Sequence, residues 1–210
     1  FITYKNQSIA LAELLAISEQ RLEGVFPLYP EQKQVAVTAY NYQTTSWPKP
    51  LLKTAQPQFV LPIFPGTNCE YDTASAIEKA GGKAKMLVIN NLDANGVKRS
   101  VEMLAKAIAE SQAIVIPGGF SGGDEPDGSG KFITAFFRNP AIKEQVTQLL
   151  DQRDGLMCGI CNGFQALIKL GLVPFGKIID TDAACPTLTF NTIGRHQSRL
   201  VRTRVASNKS

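Results

Sequence analysis

The run Gly159-Ile160-Cys161-Asn162-Gly163 has the residue types of a nucleophile on a tight turn between a strand and a helix. Small residues are needed on both sides of the cysteine, because a Cβ at either flank would collide with the adjoining strand or helix. The turn exposes the sulfur, and the partial positive charge at the start of the helix favours its anionic form. Cys161 is therefore predicted to be a catalytic nucleophile.

Nucleophilic acyl chemistry also needs N–H groups that stabilise the oxyanion formed on the substrate. Gly118 and Gly119 follow a neighbouring apolar run, where backbone without side chains is available as a donor. The N–H of Asn162, the residue directly after the nucleophile, is the natural second donor. The alternative for the two glycines is a turn with positive φ angles and no ligand.

Two other interpretations of Cys161 stay open. Most free cysteines are small buried hydrophobic residues. Cys158 and Cys161 also form a C-x-x-C pair, which would suit redox chemistry or zinc. One pair supplies only half of a zinc site, and Cys158 falls in an apolar run that predicts burial. No metal site is therefore expected.

A thiol nucleophile works with an imidazole base within hydrogen-bond reach. The chain has one histidine, His196, in a segment with the alternation of a strand. His196 is one candidate for that base, although a polar surface role or a packing role fits it better.

The elements that must position these residues alternate between short apolar runs and amphipathic stretches, which is the order of βα units. Strands are predicted at residues 59–64, 85–89, 113–116 and 156–160. Helices are predicted at residues 71–80, 97–109, 131–137, 140–152 and 162–170. Parallel strands need helical crossovers, so the pattern predicts a doubly wound, mostly parallel α/β sheet with helices on both faces. The loops that follow the strands then meet at one edge, where ligands bind.

Residues 1–56 have a different character. An apolar stripe of leucines predicts one helix over residues 8–23, with Ser8 as its N-cap. A polar stretch with several prolines follows, which suits a connector. A domain boundary is therefore placed near residue 57, and residues 57–210 are expected to form the α/β domain.

The composition excludes several classes of protein. Of the 210 residues, 44% are apolar, which is enough for one domain and a smaller segment. The formal charge of +4 is not gathered into a long basic tract, so no nucleic-acid partner is expected. The sequence contains no run of about 18 apolar residues and no signal peptide. We therefore expect a cytoplasmic protein that does not associate with a membrane. Four cysteines are too few for a disulfide framework and are expected to be thiols.

Four runs of the sequence together resemble those of one known family. The runs are FPGTNCEYDTA (64–74), PGGFSGGDEPDGSGKFI (117–133), GICNGFQALIKLGLVP (159–174) and PTLTFNTIGRHQSR (186–199). They are similar to the glutaminase domain of phosphoribosylformylglycinamidine synthase, a class I glutamine amidotransferase of purine biosynthesis. The combination of GICNGFQ with GGFSGGD is much more selective than the cysteine turn alone. The resemblance implies a flavodoxin-like fold, incomplete at its C-terminus, with the tail of a preceding synthetase domain in residues 1–56.

The resemblance implies that Cys161 attacks the side-chain amide of glutamine, forms a γ-glutamyl thioester and releases ammonia. A formylglycinamide ribonucleotide synthetase, present as a domain or a subunit, would use the ammonia. No cofactor is implied for the glutaminase, and ATP and Mg²⁺ are expected only in the synthetase. Gly119 and Asn162 are implied to hold the oxyanion. The residues implied to lie near the glutamine pocket are Gly118, Phe120, Asp124, Gln165 and Asn191.

One departure from the family concerns the histidine and glutamate that complete its catalytic triad. No matching motif occurs in the chain, so both are expected beyond residue 210, and His196 belongs to a different motif. The isolated 210 residues are therefore expected to have little or no glutaminase activity. Two alternatives stay open: a cysteine hydrolase of unrelated function on the same fold, and a non-catalytic docking module.

Overall fold

The computed structural model describes residues 1–22, 24–25, 38–46, 53–121, 130–188, 191, 196, 198 and 200–208. The chain divides into two compact units: Phe1–Pro48 together with Phe190–Ser210, and Lys49–Thr189. The sheet and the cysteine turn belong to the second, larger unit. The boundary placed near residue 57 stays a prediction.

The smaller unit begins with the elements β1 (Ile2–Tyr4), β2 (Gln7–Ile9) and α1 (Leu11–Gln20). The start of the helix predicted over residues 8–23 was wrong. Ser8 lies in an antiparallel hairpin, opposite Thr3, and does not cap the helix. Elsewhere in this unit, the guanidinium of Arg204 donates hydrogen bonds to Asn41 Oδ1 at 2.8 Å and to the carbonyl of Tyr40 at 2.9 Å. The described residues of this unit include none that is fully buried.

Four parallel strands form the sheet of the larger unit: β3 (Gln58–Ile63), β4 (Lys83–Val88), β5 (Ala113–Ile116) and β6 (Leu156–Gly159). Their order across the sheet is β4-β3-β5-β6. The central strand β5 is buried along its whole length, as its uninterrupted apolar sequence predicts. Each predicted strand is present, with ends that differ by no more than about two residues.

The helices of the larger unit are α2 (Glu70–Lys79), α3 (Ala94–Glu110), α4 (Lys131–Phe137), α5 (Pro140–Thr147), α6 (Asn162–Leu170) and α7 (Leu172–Phe175). Their ends follow from local chemistry: the Asp93 carboxylate caps α3, and Asn139 with Pro140 begins α5. The single helix predicted at 140–152 is instead α5 followed by a π-helical turn at Gln148–Gln152. None of the described helices has the length and apolar character needed to cross a membrane.

The two faces of the sheet are covered unequally. On one face, twenty buried residues of the strands and of α3, α4, α5, α6, α7 and the following segment form the main core. On the other face, the buried cluster among the described residues is Leu61 and Val115 of the sheet with Ala74 of α2. Helices therefore lie on both faces, which confirms the predicted doubly wound α/β sheet, although one layer is much thinner.

This inequality corrects the prediction that Cys158 is buried. Cys158 is exposed. Among the described strands β6 lies at the edge of the sheet, and Cys158 is opposite Val115, which belongs to the smaller buried cluster. Leu156, two residues earlier on the same side of β6, is 70% exposed. The apolar run was therefore a correct signal for a strand and a misleading one for burial.

At the opposite end of the strands from the cysteine turn, Arg153 closes the end of α3. Its guanidinium donates hydrogen bonds to the carbonyls of Ala109 at 2.7 Å, Ile108 at 3.0 Å and Ser111 at 3.0 Å. Partial burial lowers the pKa of Arg153, which stays a cation at neutral pH. The positive charge stabilises the negative end of the α3 dipole.

Candidate functional site

Cys161 occupies the connection between β6 and α6. Its backbone has φ of 51° and ψ of −106°, outside the regions that L-residues ordinarily adopt, and the residue is exposed. The N–H of Ile160 donates to the carbonyl of Ile116 at 3.0 Å, and the N–H of Gly163 donates to the carbonyl of Ile160 at 2.9 Å. The connection is therefore held on both sides of the cysteine in a strained conformation.

The glycines that flank Cys161 allow this conformation. A Cβ on Gly159 would lie 2.5 Å from the carbonyl carbon and oxygen of Gly163, and a Cβ on Gly163 would collide with the carbonyl oxygen of Ile116. Both obstacles are backbone atoms, which cannot turn away as a side chain can. The prediction that small residues are needed on both sides of the cysteine is confirmed.

The loop after β5 lies directly beside the cysteine. A Cβ on Gly118 would be 3.3 Å from the Cβ of Cys161, so this glycine leaves open space next to the nucleophile. Gly119 has a φ of 121° and pairs with Thr67 of the loop after β3. Within the described part of the chain, the N–H of Gly119 donates to no protein acceptor. That N–H is accordingly available for a ligand, and its role in holding an oxyanion stays a prediction.

The pairing of these two loops has a regular pattern. The N–H of Asn68 donates to the carbonyl of Gly118 at 2.8 Å, and the N–H of Phe120 donates to the carbonyl of Gly66 at 2.8 Å. A Cβ on Gly119 would collide with the carbonyl oxygen of Gly66 and lie 2.6 Å from the Asn68 nitrogen. A residue with a side chain at position 119 would therefore separate the two loops.

The side chain of Asn162 links the same loop to the helix that follows Cys161. Asn162 is 1% exposed, and its Oδ1 accepts hydrogen bonds from the Ser121 hydroxyl at 2.6 Å and from the Ser121 N–H at 3.3 Å. Its Nδ2 donates to Gln165 Oε1 at 3.3 Å. Ser121 is itself 1% exposed. This buried network fixes the loop after β5 against the start of α6.

Ser121 was missed by reasoning from the sequence. The serine lies within the GGFSGGD run, where a small polar residue is also typical of an ordinary turn. Its partner Asn162 is 41 positions away, so no local pattern indicates the hydrogen bond. The only available signal was its place in a run already selected for other reasons.

The other predicted site residues fall in different parts of the structure. Phe120 is 60% exposed and follows Gly119 in the loop after β5, while Gln165 is half-buried and contacts Asn162. Asp124 lies outside the described residues. Asn191 and His196 are exposed residues of the smaller unit. The geometry thus brings together Cys161, Gly118, Gly119, Asn162 and Gln165.

A second cysteine occupies a similar position. Cys69 precedes α2 with φ of 65° and ψ of 22°, and it is exposed. Two acidic residues, Glu70 and Asp72, lie in the first turn of α2, whereas the first turn of α6 has none. All four cysteines are free thiols. Across the described residues, no group of three His, Cys, Asp or Glu side chains could hold a metal ion.

Comparison with known proteins gives one family and a set of curated relatives. Residues 56–210 match the family described as the CobB/CobQ-like glutamine amidotransferase domain. A protein of Dehalococcoides mccartyi named phosphoribosylformylglycinamidine synthase subunit PurQ is 39% identical over 137 residues, which are 64% of this chain and 47% of that protein. The PurQ proteins of Pyrococcus furiosus and Chlorobium chlorochromatii are 33% identical over 117 residues and 40% identical over 112 residues.

These alignments cover 56% of this chain and 43% of the Pyrococcus protein, and 53% of this chain and 39% of the Chlorobium protein. The chain thus spans about half the length of the curated relatives it matches. A solved structure of PurLQS from Thermotoga maritima is 27% identical, with a TM-score of 0.38, covering 56% of this chain and 45% of that chain. The curated PurQ proteins confirm the resemblance found in the sequence, and the match over residues 56–210 shows that the chain belongs to the family of CobB/CobQ-like glutamine amidotransferase domains.

Proposed function

We propose that this chain contains the glutaminase of a phosphoribosylformylglycinamidine synthase, with Cys161 as its nucleophile. The observation that carries the proposal is the strained, exposed backbone of Cys161 between β6 and α6, with Gly118 and Gly119 beside it. Strained conformations of this kind are kept at sites where they serve the chemistry. The relatives support glutamine as the substrate, because proteins named PurQ are 33% to 40% identical to this chain over 112 to 137 residues and the glutamine amidotransferase family matches residues 56–210.

In the proposed reaction, the Cys161 sulfur attacks the side-chain amide carbon of glutamine. A proton passes to the amide nitrogen, and the tetrahedral intermediate then collapses. Ammonia departs, and a γ-glutamyl thioester remains on Cys161. Water then attacks the thioester carbonyl, which yields glutamate and restores the thiol. No cofactor takes part in either half of this reaction.

The oxyanion of each intermediate would be held by the backbone N–H groups of Gly119 and Asn162. Removing one such donor typically costs about 3 kcal/mol of transition-state stabilisation. The buried link between Ser121 and Asn162 supports this assignment, because it ties together the two segments that carry the donors. Preorganised donors need no rearrangement at the moment of reaction.

Glutamine would bind beside the sulfur, in the space left open by Gly118. Phe120, Asp124, Gln165 and Asn191 are proposed to line the pocket, on the strength of the family resemblance. A contact also supports the place of Gln165 in this pocket, because its side-chain oxygen accepts a hydrogen bond from Asn162, the residue that follows Cys161.

The ammonia would pass to a formylglycinamide ribonucleotide synthetase in the cytoplasm, and ATP and Mg²⁺ would belong to that partner alone. The histidine and glutamate that act with the cysteine are proposed to come from outside these 210 residues, since the single histidine here is His196. The 210 residues alone would then hydrolyse little glutamine. A non-catalytic docking module is the second candidate, and the same lone histidine favours it.

Mass spectrometry after treatment with a diazo-ketone analogue of glutamine tests the proposal. Two proteins are compared: the 210-residue chain, and an extended chain that continues through the segment with the triad histidine and glutamate. We expect selective labelling of Cys161 over Cys69, Cys158 and Cys185 in the extended chain only. If Cys161 stays unlabelled in both proteins, it is not the nucleophile and the docking module becomes the better account. Turnover of glutamine by the 210-residue chain would instead make His196 the base.

A further inference from the structure

The turn that follows β3 is anchored in the main core by Phe64. This residue is 2% exposed, and its ring lies edge-on to the rings of Phe132 and Phe136, at centroid distances of 5.6 and 5.4 Å. Phe64 belongs to the large buried cluster of the sheet and its helices. The start of the turn is therefore fixed by packing.

Thr67 closes this turn with two hydrogen bonds to Phe64. The N–H of Thr67 donates to the carbonyl of Phe64 at 2.9 Å, and the N–H of Phe64 donates to the Thr67 hydroxyl oxygen at 3.0 Å. Between them, Gly66 has a φ of 86°, as the third position of a type II turn requires. Among the described residues, the N–H of Phe64 has no other acceptor. The closed form of the turn thus depends on the Thr67 side chain.

The closed turn holds the loop that lies beside Cys161. The two hydrogen bonds between the loops, at 2.8 Å each, start from Gly66 and Asn68, on either side of Thr67. Thr67 itself lies opposite Gly119. A change in the conformation of the turn would therefore displace both hydrogen bonds together, and with them the backbone of Gly119.

We propose that the Thr67 hydroxyl is a positioning group for the reaction at Cys161. The inference rests on the proposed function, in which the N–H of Gly119 holds the oxyanion. The hydroxyl acts through the turn and touches none of the reacting atoms. A partly buried N–H that loses its acceptor is unfavourable, so without the hydroxyl the turn should rearrange until the N–H of Phe64 meets water. The Gly119 N–H would then leave its place beside the sulfur.

The test is the rate at which the diazo-ketone analogue of glutamine labels Cys161 in the extended chain. The ketone oxygen of this probe takes the place of the amide oxygen of glutamine, so its reaction depends on the oxyanion donors. Thr67→Val keeps the branched shape and removes the hydroxyl, and it should slow labelling about tenfold. Thr67→Ser keeps the hydroxyl and should restore labelling to within about threefold of the unaltered protein.

A second reagent separates positioning from general damage to the site. Alkylation of Cys161 by iodoacetamide forms no oxyanion, so its rate should change less than about twofold in both Thr67 variants. Thr147→Val is the matched control, because the Thr147 hydroxyl donates to the carbonyl of Lys143 at 2.9 Å within α5, an element that carries neither loop. This control should be labelled as fast as the unaltered protein.

The outcomes distinguish this inference from the proposed function. Absence of labelling in the unaltered extended chain would overturn the proposed function, and this inference with it. If the unaltered chain is labelled and Thr67→Val is labelled equally fast, the inference alone is overturned. It is also overturned if Thr67→Ser is as slow as Thr67→Val, or if the iodoacetamide rate falls in parallel, since the effect would then depend neither on the hydroxyl nor on the oxyanion.

Discussion

Two cysteines in similar positions can be compared: Cys69 at the junction of β3 and α2, and Cys161 at the junction of β6 and α6. Cys69 and Cys161 are both exposed, both have a positive φ and both directly precede a helix. They differ in backbone conformation: ψ is 22° at Cys69, an ordinary left-handed residue, and −106° at Cys161. They differ in charge as well, because acidic residues follow Cys69 alone.

Under the proposed assignment of Cys161 as the nucleophile, exposure and a position at a helix N-terminus are not sufficient to make a cysteine a nucleophile. The connection between β6 and α6 is only two residues long, Ile160 and Cys161. Gly159 lies against the backbone of Gly163, and Gly163 lies against the carbonyl group of Ile116. At Cys69 the connection from β3 is longer, and residues 66–68 pair with the loop after β5. Beside Cys161, a Cβ on Gly118 would lie 3.3 Å from the Cβ of Cys161. Four variants test this comparison, from the largest expected effect to the smallest.

The largest effect is expected from removing the sulfur itself. Cys161→Ser in the extended chain, assayed with the proposed synthetase partner, should lower the proposed glutaminase activity by at least about a thousandfold, because no other group replaces the proposed thioester-forming atom. Cys69→Ser is the control and should stay within about twofold of the unaltered protein, as expected for a surface change. Equal losses in the two variants would remove the distinction between the junctions.

The next effect concerns the backbone donor beside Cys161. Gly119→Ala, made in the extended chain, introduces a Cβ that collides with Gly66, so the paired loops should separate and the labelling of Cys161 by the glutamine analogue should slow by about a hundredfold. Gly81→Ala is matched to it, because Gly81 also has a positive φ, of 89°, but no atom lies within 4 Å of its Cβ position. That control should cost about 1 kcal/mol of stability and leave labelling unchanged. Unimpaired labelling of Gly119→Ala would contradict the proposed role of this loop.

A smaller effect is expected at the buried hydroxyl that ties the loop to α6. Ser121→Ala leaves the Asn162 Oδ1 without its 2.6 Å donor, and in the extended chain the labelling of Cys161 by the glutamine analogue should slow by about tenfold. Ser111→Ala removes another buried hydroxyl, which donates to the carbonyl of Ala107 at 2.7 Å, at the opposite end of the sheet. Each variant should lose about 1–3 kcal/mol of stability, measured by urea unfolding. Only Ser121→Ala should also change the labelling rate, and a change in both would assign the effect to general destabilisation.

How much of this arrangement is visible in the sequence depends on the distance between the partners. The strands, most of the helices and the turn at Cys161 were predicted, because apolar periodicity and flanking glycines are local signals. The Thr67–Gly119 pairing and the Ser121–Asn162 hydrogen bond join residues far apart in the chain, so no local pattern indicates them. The exposure of Cys158 was predicted wrongly for a similar reason, since it depends on which strand lies at the edge.

The smallest predicted effect concerns the negative charges that follow Cys69 at the junction of β3 and α2. Glu70→Gln combined with Asp72→Asn removes the acidic groups of the first turn of α2, and the reaction of Cys69 with iodoacetamide should accelerate about twofold at low salt. The rate at Cys161 should not change, because Glu70 and Asp72 lie in the first turn of α2 and Cys161 precedes α6. An unchanged rate at Cys69 would mean that backbone conformation alone separates the two cysteines.

The strained backbone of Cys161 has an evolutionary consequence. A residue held in such a conformation costs about 1–3 kcal/mol, which is a large part of the 5–15 kcal/mol that stabilises a typical domain. A glycine at position 161 would relieve that strain, so a stabilising change at this position is one that removes the proposed nucleophile. In a lineage that no longer required a thiol at this position, such a change would cost no function and would raise the stability of the domain.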